Sequence, residues 1–134
     1  MFLKVEDLIV YQRLCDLHLE ICVLTRAWPA EEKYELASQV RRSSNSSPAR
    51  LAERYGDRHA KNRVEGVNGS RSEAYETVHH LYIAFRKAYI TRDLFEALRG
   101  RYEECFRMLN GLEKAFERGL KPSERKWRPG APEA

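Results

Sequence analysis

The sequence predicts an all-α fold, an antiparallel up-down-up-down four-helix bundle formed by a single chain of 134 residues. Four segments carry apolar side chains at spacings of three and four residues, which places those side chains on one face of an α-helix. No segment shows the alternation of a half-buried strand, and only seven glycines and five prolines occur. Short connections between amphipathic helices make consecutive helices antiparallel neighbours in a bundle.

The first helix is predicted from a stripe that steps alternately by four and three positions. Its members are Val10, Leu14, Leu17, Ile21, Leu24 and Trp28. Asp7 is a suitable N-cap, because a carboxylate oxygen accepts hydrogen bonds from the free N–H groups at a helix start. Pro29 is expected to end the helix, because the residue before a proline is disfavoured in the helical conformation.

The second helix is predicted to open at Pro29 and to stop at Gly56. Its stripe consists of Leu36, Val40, Ser44, Ser47, Leu51 and Tyr55. The small side chains of residues 43–49 would let a neighbouring helix approach closely. Pro48 has no N–H to donate and is therefore expected to kink or interrupt this helix.

The third helix has the clearest pattern. Its stripe consists of Val64, Val67, Arg71, Ala74, Val78, Leu81, Phe85 and Ala88. Gly66 and Gly69 lower the helix propensity of its first turns. A second line of Tyr75, Tyr82 and Tyr89 recurs every seven residues. At helical spacing such tyrosines favour the rim of a core or a subunit interface over stacking on nucleic-acid bases.

The fourth helix repeats the pattern and is followed by Gly119. Its stripe consists of Leu94, Leu98, Tyr102, Cys105, Leu109, Leu112 and Phe116. Beyond it the sequence has no periodicity and is rich in basic residues. We therefore expect a bundle domain over residues 1–119 and a disordered tail over residues 120–134.

The formal net charge of +4 is unevenly distributed, since residues 41–71 hold eight basic side chains against three acidic ones. Such a cluster is typical of a surface that contacts the phosphates of RNA or DNA. It is equally compatible with attraction to an acidic partner or subunit, or with a solvated face in which Glu53 pairs with Arg50 and Asp57 with Arg54. The candidate binding residues are Arg41, Arg42, Arg50, Arg54, Arg58, Lys61 and Arg63.

The sequence shows no pattern that predicts catalysis. It lacks a glycine-rich phosphate loop, a Cys-x-x-Cys pair and a Gly-x-Ser-x-Gly elbow. Glu76 and His79 have the Glu-x-x-His spacing of helical di-iron sites, but those sites need a second copy. Cys15 and His18 resemble a thiol–imidazole pair without an oxyanion hole. We therefore expect that the protein is not an enzyme and has no catalytic residue. We also expect that it binds no metal or other cofactor and no small-molecule substrate.

The same sequence predicts a cytoplasmic protein without a membrane partner. No apolar run approaches the roughly 18 residues of a transmembrane helix, and Glu6 and Asp7 interrupt the apolar core that a signal peptide needs. Cys15 and Cys22 would be separated by roughly 10 Å of helical rise, too far for a disulfide. Unpaired cysteines are typical of a reducing compartment.

Several short stretches resemble the bacterial four-helix-bundle proteins named after the 23S rRNA intervening sequence. In the first half the matching positions are Asp7-Leu8, Val10-Tyr11-Gln12, Leu24-Thr25, Pro29, Glu32, Tyr34, Leu36 and Ser38-Gln39-Val40-Arg41-Arg42. Further along they are Ser47-Pro48-Ala49, Leu51-Ala52-Glu53, Gly69-Ser70, Glu73 and Met108-Leu109-Asn110-Gly111-Leu112. The likeness covers roughly residues 2–118 and departs from the family pattern at Glu35, Arg50 and Arg54.

The resemblance implies a left-handed antiparallel bundle that often assembles as a ring-shaped homopentamer. It also implies an architecture similar to the accessory proteins of diversity-generating retroelements, which bind a reverse transcriptase and nucleic acid. The family carries no catalytic residues. We therefore expect a non-enzymatic, self-associating bundle that acts as a scaffold, with a nucleic-acid-binding module as the alternative.

Overall fold

The computed structural model describes residues 4–126, which form a bundle of four α-helices without any strand. The helices are α1 (Ile9–Leu24), α2 (Leu36–Tyr55), α3 (Ala60–Arg86) and α4 (Arg92–Glu117). Each helix packs against its neighbours in sequence, and α4 returns to pack against α1. The predicted all-α four-helix bundle is confirmed. No helix within these residues is both long and apolar enough to cross a membrane.

The predicted stripes supply most of the core, which runs along the centre of the bundle. Its buried members include Leu14, Leu17 and Ile21 of α1, Val40 and Leu51 of α2, Val67, Ala74 and Leu81 of α3, and Leu98, Tyr102, Cys105 and Leu109 of α4. Burying a side chain such as leucine fully contributes roughly 1.5–3 kcal/mol. These stripes therefore hold the four helices together.

The start of α1 differs from the prediction, because Asp7 does not cap the helix. Leu8 occupies the N-cap position without a side-chain hydrogen bond, and Asp7 belongs to a preceding 3₁₀ turn, Val5–Asp7. The Asp7 carboxylate accepts a hydrogen bond from the backbone N–H of Lys4 at 3.0 Å. Its carboxylate is thus directed towards the N–H upstream of it, not towards the first turn of α1.

The predicted start of α2 at Pro29 is also wrong. Pro29 is followed by a 3₁₀ turn, Ala30–Glu32, and the α-helix begins only at Leu36. Glu32 is buried within this connection, where its carboxylate accepts hydrogen bonds from Lys87 Nζ and Tyr89 Oη, each at 2.7 Å. This bond set docks the α1–α2 connection onto the α3–α4 connection and accounts for the irregular backbone.

The small residues of α2 bring α3 very close, as predicted. Contact between α2 and α3 is the most extensive of any two helices in the described chain. Ser43 Oγ lies 2.8 Å from Thr77 Oγ1, and Ser47 Oγ donates to the Ser70 carbonyl at 2.8 Å. Pro48 is buried in the same helix, which continues through it, so of the two expected outcomes, a kink or an interruption, the interruption does not occur.

Gly66 has a packing role that its helix propensity does not reveal. A Cβ atom built on Gly66 would lie 2.5 Å from Arg54 Cβ, a distance that real side chains do not tolerate. The close contact between α2 and α3 therefore depends on a missing side chain at this position. The interpretation of this glycine as a propensity cost alone was incomplete.

The buried face of α3 is rotated relative to the predicted stripe. Ser70, Thr77 and His80 are buried, whereas Arg71 is half-buried and Ala88 lies beyond the helix, exposed and with a positive φ of 64°. Ser70 and Thr77 find partners on α2, so the periodicity of apolar residues alone misplaced the centre of this face.

The segment after α4 contains a further turn. Pro122–Glu124 form a 3₁₀ turn, and the Arg125 side chain donates to the carbonyls of Leu120 and Arg118 at 3.2 and 3.1 Å. The first residues of the segment predicted as a disordered tail thus fold back on the end of α4. The prediction for residues 127–134 lies outside the described residues.

Candidate interaction surfaces

The seven predicted binding residues lie along α2 and around the α2–α3 connection. Arg41, Arg42, Arg50 and Arg54 belong to α2, Arg58 to the connection, and Lys61 and Arg63 to the first turns of α3. The structure divides them into two groups according to whether their charged ends already have partners within the chain.

Three of the seven are engaged. Arg42 forms an ion pair with Glu73 at 3.4 Å and a second with Glu76 on α3. Arg41 donates to Thr25 Oγ1 and to the Lys33 carbonyl, each at 3.2 Å, and so faces the α1–α2 connection.

Arg63 is the third engaged residue and has a structural role. Its guanidinium donates to the Asp57 carbonyl at 2.6 Å and lies 5.3 Å from the centre of the Phe116 ring. Arg63 therefore ties the α2–α3 connection to the end of α4.

The other four residues form what we call the basic patch: Arg50, Arg54, Arg58 and Lys61. All four are exposed, and none forms an ion pair with any residue in the described part of the chain. The stem of Arg50 lies over Gly69, with its Cβ 3.6 Å from a Cβ built there. The missing side chain of this glycine leaves room for the arginine to lie across α3.

The local pairings considered for this surface do not form in the described chain. The Asp57 carboxylate accepts hydrogen bonds from the His59 N–H at 2.8 Å and from Asn62 at 3.2 Å. These bonds hold the pKa of Asp57 below its usual value, and the charges of His59 and Arg54 act in the same direction more weakly. Since Asp57 is occupied by these bonds and Glu53 forms no ion pair among residues 4–126, the basic patch keeps its charge available.

A second surface lies on the opposite side of the bundle, between α1 and α4. Leu19 and Val23 are 62% and 59% exposed, and Leu94 of α4 is 36% exposed. These three side chains line an open groove of about 480 Å³. We call it the apolar groove.

Ion pairs join α1 and α4 beside this groove. Glu20, one of its lining residues, accepts from Arg101 at 2.9 Å, and Arg13 pairs with Glu104 further along the helices. Sequence reasoning missed this surface. The available signal was a pair of apolar residues, Leu19 and Val23, four positions apart and outside the buried stripe.

The three heptad tyrosines contact side chains of their own chain. Tyr75 stacks on Phe106 with ring centres 4.1 Å apart, while remaining 57% exposed. Tyr82 lies edge-on to Phe95 at 5.7 Å. Tyr89 donates to Glu32, as described above. Their packing at the rim of the bundle agrees with the prediction.

Glu76, considered from the sequence as a metal ligand, does not lie in a metal site within residues 4–126. Glu76 pairs with Arg42 and approaches His80, whose Nε2 lies 3.7 Å from Glu76 Oε2. Among the residues that the structure describes, no three His, Cys, Asp or Glu side chains are grouped as metal ligands.

The thiol beside His18 is Cys22, not Cys15. Cys22 Sγ lies 3.5 Å from His18 Nε2. Cys15 lies on the same face of α1 one to two turns nearer the N-terminus, where its thiol interacts with Tyr11 and burial raises the pKa of the thiol. The thiol–imidazole contact considered from the sequence at Cys15 and His18 is therefore found between His18 and Cys22.

Comparison with known proteins supplies a family. The model of the 23S rRNA-intervening sequence protein family matches residues 6–111. A solved structure from Bacteroides thetaiotaomicron VPI-5482, described as a protein of unknown function from the S23 ribosomal protein family, has a TM-score of 0.72 and 24% sequence identity. The match covers 79% of this chain and 99% of that one, and it shows a shared fold. No curated protein matches the sequence.

Proposed function

The chain belongs to the 23S rRNA-intervening sequence protein family, and on that premise we propose that it is a non-enzymatic bundle that associates with copies of itself and acts as an interaction scaffold. The observation that carries this proposal is the apolar groove between α1 and α4. Three large apolar side chains are exposed there on one face. Contiguous exposed apolar surface of this kind marks an interaction site more often than a surface left in water.

The energetics favour a protein occupant for the groove. Covering Leu19 and Val23 in an interface contributes up to roughly 1.5–3 kcal/mol for each side chain. A contact of one such face with a different face of the next copy closes into a ring when the rotation permits it. A homopentameric ring is the assembly that the family resemblance implies, and we propose it for this chain.

The order of the helices determines which faces of the bundle lie opposite each other. Because each helix packs on its sequence neighbours and α4 on α1, the α1–α4 groove lies opposite the α2–α3 contact. We propose that the second face of each contact is not the α2–α3 face, so that the ring leaves the basic patch accessible to a partner.

Disrupting the groove should therefore disperse the oligomer. We expect the double variant Leu19→Lys, Val23→Lys to sediment as a monomer of about 15.7 kDa, since two charges cannot be buried in an apolar contact without a large cost. Analytical ultracentrifugation at micromolar concentration measures this directly. Helical circular dichroism should be unchanged, because both side chains are already exposed.

Tyr34→Lys provides the matched control. Tyr34 is 82% exposed and lies outside the apolar groove, so this variant adds a charge to an exposed apolar site elsewhere. It should sediment like the wild type. Equal dispersal by both variants, or a double variant that keeps the wild-type mass, would contradict the groove as the contact surface.

A second function, binding to RNA or DNA, is favoured by the basic patch. Its four cations are exposed on α2 and around the α2–α3 connection and form no ion pair among residues 4–126. Charge that no acid neutralises is available to displace counterions from a phosphate backbone. We propose the patch as the surface that holds nucleic acid on the outside of the assembly.

Salt dependence tests this second function. Each phosphate contact that is lost should reduce the slope of log affinity against log salt concentration by about 0.7–0.9. Replacing Arg50 and Arg58 by alanine should lower both the affinity and this slope, measured with a labelled duplex and a labelled single strand. The control replaces Arg86 and Arg92, which lie at the α3–α4 connection and pack on Tyr82 and Phe85. Equal losses in both pairs of variants, or binding that does not respond to salt, would exclude the patch.

A further inference from the structure

A pocket unrelated to either surface lies where α1 ends and α2 begins. Its volume is about 540 Å³, and Trp28 and Pro29 form an apolar wall. Three cationic side chains line it: Arg26, Lys33 and Arg41. None of the lining residues that the structure describes carries a carboxylate.

The positive charge of this pocket is not neutralised within the described chain. Arg41 donates to a hydroxyl and a carbonyl, both of which are uncharged acceptors. Arg26 and Lys33 form no ion pair among residues 4–126. A concave surface with three cations and no acid attracts a small anion and concentrates it there.

Cys22 lies in the wall of this pocket and is half-buried. Behind its thiol, His18 Nδ1 lies 2.8 Å from Ser44 Oγ, which in turn lies 3.2 Å from the Arg41 carbonyl. We assign Ser44 Oγ as the donor to this carbonyl, which makes it the acceptor for His18 Nδ1–H. His18 Nε2 then carries a lone pair and faces Cys22 Sγ at 3.5 Å.

This arrangement has the elements of an activated thiol: a nucleophile, an adjacent base, and a third group that orients the base. Burial lowers the pKa of His18, which keeps the imidazole neutral at neutral pH but also makes it a weaker base, so it takes up the thiol proton only as the sulfur attacks. The three cations that line the same pocket attract an anionic disulfide towards this thiol. At the other two cysteines burial opposes ionisation, since it raises the pKa of the Cys15 thiol and raises that of Cys105 to about 11.

We propose that Cys22 is a site of thiol–disulfide exchange with small anionic disulfides, which the cationic pocket selects. In the reaction the Cys22 thiol gives its proton to His18 Nε2 as its sulfur attacks one sulfur of the disulfide. A new S–S bond forms to Cys22 as the S–S bond of the reagent breaks. The departing thiolate takes the proton back from His18, which leaves a mixed disulfide and one free thiol.

The experiment compares two disulfides of opposite charge on the full-length protein: oxidised glutathione, which is anionic, and cystamine, which is cationic. Intact mass and peptide mapping report the rate at each cysteine. Cys22 should be modified first with oxidised glutathione, and Cys22→Ser should abolish the fast phase. The rate ratio of oxidised glutathione to cystamine at Cys22 should exceed the ratio for an uncharged free thiol such as N-acetylcysteine amide.

Two variants separate the pocket from the base. Lys33→Glu should lower the rate ratio by about tenfold, because it reverses a charge at the pocket without changing the thiol. Arg26→Glu reverses a second charge of the pocket and should lower the rate ratio in the same way. His18→Phe should slow the reaction of Cys22 with both reagents and leave the rate ratio unchanged. Circular dichroism checks that this variant is folded.

First modification at Cys15 or Cys105 would overturn the proposal. So would a rate ratio at Cys22 equal to that of the free thiol, or a ratio that Lys33→Glu and Arg26→Glu both leave unaltered.

Discussion

Individual residues decide how closely the helices of this protein approach each other. At Gly66 the α2–α3 contact is so close that Arg54 Cβ occupies the space of an added methyl group. At Ser47 and Ser70 the same contact is held by a hydrogen bond from a buried hydroxyl to a buried carbonyl. The small side chains between α2 and α3 allow close packing and also form hydrogen bonds. A larger residue at these positions would remove the close packing and the hydrogen bonds.

Replacing Gly66 by alanine should destabilise the protein by about 1–3 kcal/mol, the usual cost of overpacking a close contact. Helix propensity alone predicts the opposite sign, a gain of about 1 kcal/mol. The free energy of unfolding from urea titration distinguishes the two.

Gly100→Ala is the matched control for this substitution. Gly100 is also within a helix, but nothing lies within 4 Å of a Cβ built there. This variant should be stabilised by about 1 kcal/mol, because alanine has a higher helix propensity than glycine. A Gly66→Ala variant that is stabilised as much as Gly100→Ala would contradict the account of the α2–α3 contact.

At the scale of elements, the two connections at one end of the bundle are held together by Glu32. Hydrogen bonds from Lys87 and Tyr89 lower the pKa of the Glu32 carboxyl. A carboxyl whose pKa is lower in the folded state contributes stability above its unfolded pKa, about 4.3, and loses it as the pH falls through the folded value. The docking of the connections should therefore weaken in acid.

Glu32→Gln should lower the urea midpoint at pH 7, and this difference from wild type should shrink at pH 3, where the wild-type carboxyl is also becoming protonated. Glu31→Gln, an exposed neighbour in the same turn without an ion pair in the described chain, serves as the control and should match wild type at both pH values. A Glu32→Gln effect of the same size at pH 7 and pH 3 would show that the charge is not what matters.

The elements themselves could be predicted because their signal is local. Leu14, Leu17 and Ile21 follow the helical period, and this period alone identifies α1 and its buried face. The positions of Gly66 and Cys22 could not be interpreted in the same way. Their roles depend on which residue of a neighbouring helix or connection stands opposite them, and the period of one helix contains no information on that register.

The candidate surfaces show the same division. Clustering of basic residues in the sequence located the basic patch, but only the structure shows that Arg42 is paired with Glu73 and Glu76 while Arg50 is not. The apolar groove was not predicted, because Leu19 and Val23 fall outside the stripe by which α1 was recognised.

As a whole molecule, the bundle has two different sides. The α1–α4 side exposes apolar residues, and the α2–α3 side exposes cations. We propose that the first side joins copies of the chain and that the second faces outward to a polyanionic partner.

The molar mass of the wild-type protein in solution is the measurement that tests this central claim most directly. Light scattering at micromolar concentration should give about five times the chain mass of 15.7 kDa, and the value should persist at high salt because the contact is apolar. A mass of one chain under these conditions would contradict the account.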